Sequence, residues 1–171
     1  DKQKAVAAGG RLDQKLSGSN PIDVLIEFPK GVSLYAPDSL AVIGAVHSAV
    51  EKQAGVGNVW SVETLRRWLA EKQGHTDVAT LREYVDILPK HLQRRFLSED
   101  KDSALISGRI PDIDSSELLP VVNTLDRNLD AVRKAHPNYQ IAVTGLAVIA
   151  ARNSAGVIDK LSHGLTIEFA I

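Results

Sequence analysis

Tyr139-Gln-Ile-Ala-Val-Thr-Gly145, continued by LAVIAARNSAGVIDKLSHGLTIEFAI to Ile171, holds both periodicities that the chain uses. Tyr139, Ile141 and Val143 alternate with Gln140, Ala142 and Thr144, a period of two that predicts a half-buried strand. Gly145 breaks the alternation. From about Ala150 the apolar residues Ala151, Ala155, Ile158, Leu161 and Leu165 recur every three or four positions, one face of a helix. No capping glycine, proline or basic turn follows Leu165, and the chain closes on Leu-Thr-Ile-Glu-Phe-Ala-Ile. The expectation is a helix that continues beyond this sequence.

Upstream, Ile22, Val24, Ile26 and Phe28 alternate with Asp23, Leu25 and Glu27 and predict the clearest strand of the chain. Asn20-Pro21 starts it, because a residue before proline avoids the helical region, and Pro29-Lys-Gly31 ends it. A helix is expected from Pro37-Asp-Ser39, with Asp38 at its positive end and Leu40, Ile43, Val46, His47 and Val50 on its apolar stripe. Val56, Asn58, Trp60 and Val62 suggest a short second strand. Ser61 and then Thr76 or Asp77 open two further helices, the first running to Gly74 and the second bent or restarted at Pro89. Ala104, Ile106, Gly108 and Ile110 give a third strand. Asp114 or Ser115 begins the longest stripe, Leu118, Val121, Val122, Leu125, Leu129 and Val132, which ends at His136-Pro137.

With the inserted helical pair (about 61–98) set aside, the order is β-α-β-β-α-β. That order predicts an α+β fold: a ferredoxin-like split βαβ sandwich of two layers, two helices on a four-stranded antiparallel sheet. The divisions expected are a connecting segment 1–20, a domain 21–145 and a final helix 146–171.

The 171 residues suit one domain that buries roughly 70% of its unfolded surface. Twenty basic against 21 acidic residues leave a net charge of −1, which gives no electrostatic reason to expect nucleic acid. Absence of cysteine excludes disulfides, zinc-thiolate sites and thiol catalysis. The run Pro137 to Ala151 lacks charge, but it is shorter than the roughly 20 apolar residues that span a bilayer.

Chemistry-bearing motifs are sparse. Gly55-Val-Gly-Asn-Val-Trp60 begins like a dinucleotide fingerprint, yet it follows a helix and opens a strand, the reverse of what pyrophosphate binding needs. The five histidines (47, 75, 91, 136, 163) include no pair at helical spacing and no zincin motif, so no metal site is assigned. His47 is expected in a helix–sheet contact and His136 at a helix C-terminus. No strained nucleophile elbow surrounds any serine, and Ser107 lies inside a strand beside Arg109. Neither catalytic nor cofactor-binding residues are assigned, and an enzyme is not expected. Trp60, Trp68, Tyr84 and Phe96 concentrate aromatic area near Arg66-Arg67 and Arg94-Arg95. Such clusters are core more often than not, but they also form a candidate apolar substrate or docking surface.

The sequence Val143-Thr-Gly-Leu146, followed by a helix carrying Ile158-Asp-Lys-Leu-Ser-His-Gly-Leu165, resembles a junction in bacterial exporters of the RND superfamily, in the MMPL-like and hopanoid-exporter branches. There a periplasmic loop returns to the membrane through a strand, a short turn and a helix. Leu12 to Phe28, LDQKLSGSNPIDVLIEF, resembles the other edge of the same loop. The resemblance implies a porter-like domain on the periplasmic side of the inner membrane, with Leu161, Leu165, Ile167 and Phe169 on a membrane-proximal helix. It implies a hydrophobic or amphiphilic substrate such as a lipid, contact with the parent's transmembrane helices and a possible second protomer. Proton coupling would lie in those helices, outside this chain. The competing expectation is a ferredoxin-like regulatory or small-ligand-binding module, since fold alone does not set function.

Overall fold

The computed structural model describes residues 20–74, 77–111 and 115–145. Its elements run β1 (Asn20–Glu27), α1 (Pro37–Lys52), β2 (Gly57–Trp60), α2 (Val62–Gln73), α3 (Val78–Ile87) and α4 (Lys90–Phe96). They continue with β3 (Ser103–Ile110), α5 (Ser115–Asn128), α6 (Asp130–Ala135) and β4 (Gln140–Thr144). The strands form one antiparallel sheet in the order β2-β3-β1-β4. This is the ferredoxin-like split βαβ topology expected above, with the insertion between β2 and β3.

One face of the sheet is buried because strand alternation puts Ile22, Val24 and Ile26 of β1 beside Ile106 and Ile110 of β3 and Ile141 and Val143 of β4. Over it lie α1, through Val42, Ile43, Val46 and Val50, and α5, through Leu118, Val122 and Leu125. Gly108 sits at the tightest point. A Cβ there would stand 2.7 Å from Val56 Cγ1 and 3.4 Å from both Ile22 and Val50.

Three expectations need correction. The strand period over Val56, Asn58, Trp60 and Val62 breaks down because Asn58 takes a left-handed conformation (φ 51°) and the β2–β3 register shifts between Gly57 and Trp60. That bulge frees Ser61 and Val62 for the next helix. The insertion has three helices rather than two, because Leu88, ahead of Pro89, is extended (ψ 142°) and α4 starts afresh at Lys90. The long stripe is divided at Leu129 into α5 and α6, although Leu129 N–H still bonds Leu125 O and Arg133 N–H bonds Leu129 O. The apolar face therefore continues across the division. Pro120 lies inside α5.

The expected caps at Ser61 and Asp77 are present. Ser61 Oγ accepts from Glu63 N–H while Thr64 Oγ1 accepts from Ser61 N–H, and Asp77 Oδ1 accepts from Thr80 N–H. Gly74 ends α2 in the left-handed region at φ 76°. The connecting segment 1–19 and the helix expected over 146–171, with Leu161, Leu165, Ile167 and Phe169, lie outside the described residues, as do His75, Asp114 and His163. No helix among the described residues is long and apolar enough to cross a membrane.

Candidate functional site

The four aromatic residues singled out in the sequence come together as two separate pairs. Trp60, at the end of β2, stacks on Phe96, the last residue of α4, with ring centroids 5.8 Å apart and an interplanar angle of 27°. Trp68 of α2 meets Tyr84 of α3 edge-on at 5.8 Å. Tyr84 and Phe96 are buried, whereas Trp60 and Trp68 are half-buried and pack against the core. The Trp68–Tyr84 pair holds the insertion together. The Trp60–Phe96 pair joins it to the sheet, with the indole still reachable from outside.

Register places Trp60 opposite Ser107, and Ser107 opposite Asp23. These residues belong to the sheet face turned away from α1 and α5. Across that face Ala142, Leu25 and Leu105 form an apolar row over β4, β1 and β3. Thr144, Asp23 and Ser107 form a parallel polar row. Leu25 and Leu105 are half-buried. Burial pushes the Asp23 carboxyl above its ordinary value, while the Ser107 hydrogen bond and the Arg109 charge work against that rise. One Asp23 oxygen, Oδ1, is enclosed without a hydrogen-bond partner.

The two ends of the described domain meet beside this row. Asp23 pairs with Thr144, so Asn20 and Gly145 emerge at the same end of the sheet. A Cβ on Gly145 would stand 3.2 Å from Pro21 O, and Gly145 has φ 127°. Glycine therefore permits the close approach of the returning chain to the entering one.

At the opposite end, two half-open cavities flank the loop 29–35. One, about 520 Å³, is lined by Glu27, Phe28, Lys30, Val32 and Asp102 among others. The second, about 490 Å³, has Tyr35, Arg82, Asp86, Asp100 and Lys101 on its walls. The Arg82 guanidinium lies 4.7 Å over the Tyr35 ring. Burial, with the Asp86 charge adding and Arg82 opposing, pushes the Tyr35 hydroxyl up to about 12. Both walls are richly charged, which suits a polar ligand better than an acyl chain.

The remaining candidates fall into structural roles. Arg66 and Arg67 both hydrogen-bond the Glu63 carboxylate, and Arg67 also reaches Glu51 and Ser48. Burial would raise Glu63, but the two arginines outweigh it and hold the carboxyl below its ordinary value. His47 is buried on α1 as expected, and its ring meets Ser61, the N-cap of α2. His136 is the C-terminal cap of α6, its ring against Tyr139, and His91 is exposed on α4. Among the described residues no three histidines or carboxylates stand close enough to hold a metal ion. Gly55 ends the α1 turn at φ 87° and Gly57 opens β2, so the glycine pair stands ahead of a strand.

Comparison of the sequence with protein-family models and with curated proteins gives no match.

Proposed function

We propose that the chain is a porter-like periplasmic domain of an RND-type, MMPL-like membrane exporter, and that it shields or guides a hydrophobic or amphiphilic substrate such as a lipid or hopanoid-like molecule. The observation that carries this reading is the side-by-side emergence of Asn20 and Gly145 at one end of the sheet. A domain whose entry and exit coincide can be inserted between two transmembrane segments without separating them. The apolar row Ala142–Leu25–Leu105, beside the polar row that ends at Trp60, supplies surface that gains when an apolar body covers it. In this reading the partners are the parent's transmembrane helices, and a second protomer where the exporter assembles. The site of action is the periplasmic side of the bacterial inner membrane.

The test places a photoreactive benzophenone at Leu25 or Leu105 in the full-length protein within its native membrane. Crosslinks to lipid or to the exported amphiphile support the reading. Crosslinking that yields no such adduct at either position counts against it.

One observation favours a second reading, a ferredoxin-like module that binds a small polar ligand: the charged cavity against Tyr35 and Arg82. Thermal-shift screening of the isolated chain with polar metabolites separates the two, because the exporter reading predicts no stabilisation through that cavity.

A further inference from the structure

His47 lies on α1 with only 2% of its surface exposed. Its Nδ1 stands 2.7 Å from Ser61 Oγ. Ser61 in turn caps α2, its Oγ accepting from Glu63 N–H at 3.0 Å. The tautomer with its proton on Nε2 lets Nδ1 accept the Ser61 hydroxyl proton while Ser61 Oγ accepts from Glu63 N–H. Nε2 faces Glu51 Oε2 at 3.7 Å, beyond hydrogen-bond range. The contact thus joins the α/β core to the first residue of the three-helix insertion.

We propose that His47 is an acid-sensitive latch: protonation of its buried ring ends its acceptance of the Ser61 hydroxyl proton and loosens the docking of α2 against α1. A protonated ring has two donors and no acceptor, so Ser61 must turn its proton elsewhere in a buried site. The new charge also enters a desolvated position. The charged groups acting on it are Glu51 from its own helix and Arg67 and Glu63 from α2. The nearby strand β2 (Gly57–Trp60) contains none. Burial is the largest influence and holds His47 below its ordinary value; Glu51 and Glu63 act the other way, and Arg67 acts with burial. Arg66 and Arg67 hold the Glu63 carboxyl below its ordinary value and so favour its charged form. The opening therefore occurs on acidification below about pH 6.5, where an unfolded histidine gains a proton and the buried one resists it. This device is independent of the exporter reading.

The experiment is a ring-proton NMR titration of His47 in the full chain, paired with hydrogen exchange across Val62–Gln73 corrected for the intrinsic effect of pH. The expected results are a midpoint below about 6.5 and at least a roughly tenfold rise in α2 exchange between about pH 7.5 and about pH 5. His47→Gln, which can hydrogen-bond but cannot titrate, removes that rise. Should this variant fail to fold, Glu51→Gln serves instead: loss of the attracting carboxylate moves both the midpoint and the exchange transition to lower pH. A midpoint at or above 6.5, an α2 exchange rate that does not respond to acid, an equal rise in His47→Gln or an unmoved transition in Glu51→Gln overturns the proposal.

Discussion

Arg133 donates two hydrogen bonds to the main-chain carbonyl of Ile141, from Nε at 3.1 Å and from Nη2 at 2.8 Å. The guanidinium is itself held by the Asp126 carbonyl and carboxylate and by Asp130. One side chain thus ties α6 to β4, a strand that among the described residues pairs with β1 alone. A sheet edge without such cover can add a strand from another molecule. Arg133→Met is expected to lower stability by about 1.5–3 kcal/mol, the range for hydrogen bonds from charged groups. Arg133→Lys recovers little, since one ammonium cannot reproduce the fork. Urea denaturation measures the loss, and sedimentation of the variant is expected to show more self-association than the wild type under the same conditions.

Gly108 is required for space rather than for backbone freedom. Its missing Cβ accommodates Val56, and Gly108→Ala is expected to cost about 1–3 kcal/mol by overpacking. Val56→Ala in the same chain should return part of that loss, and a double-mutant cycle by chemical denaturation reads the coupling.

Two helix caps of similar chemistry should differ in cost. Asp77→Ala removes an exposed cap of α3 and is expected to cost about 1 kcal/mol. Ser61→Ala removes a buried cap and leaves His47 Nδ1 without its hydrogen-bond partner, so the loss should exceed that of Asp77→Ala by about 1 kcal/mol or more. Parallel thermal unfolding of the two variants decides the order.

Two carboxylates should give opposite pH signatures. Asp23 is raised from 3.8 on folding, so the folded state holds its proton more tightly. Its contribution is present below the unfolded value and is lost as pH rises through the folded one. Asp23→Asn is therefore expected to stabilise the protein at neutral pH and to have no such advantage in acid. Glu63 is lowered from 4.5, so its contribution is present above that value and is lost as pH falls through the folded one. Glu63→Gln destabilises at neutral pH, and the difference closes in acid. Unfolding free energies of both variants across pH test the pair.

The order of the strands was legible because Ile22–Phe28, Ala104–Ile110 and Tyr139–Val143 each alternate over a half-buried surface, and alternation is a local property. The caps at Ser61 and Asp77 were equally legible, since each depends on atoms within three residues. The bulge in β2 was not, because the left-handed turn at Asn58 is set by pairing with β3, far along the chain. Pro89 announced a restart, yet only the extended Leu88 separates α3 and α4 into two helices. The aromatic clustering of Trp60, Trp68, Tyr84 and Phe96 was visible in spacing, but its division into two pairs depends on how three helices fold back. His47–Ser61 and Arg133–Ile141 are tertiary contacts with no periodic signature. Asp23 was hidden for another reason: it occupies the polar phase of an alternating strand, where an aspartate looks like any solvated residue.

The central claim is that the sheet face bearing Leu25 and Leu105 serves an apolar substrate in a membrane exporter. Native mass spectrometry of the full-length protein, released from gentle detergent, tests it most directly. The account predicts co-purified lipid or amphiphile whose occupancy falls severalfold in Leu105→Lys, with the fold of the variant retained. Recovery of polar metabolites alone, or lipid occupancy indifferent to Leu105→Lys, would contradict it.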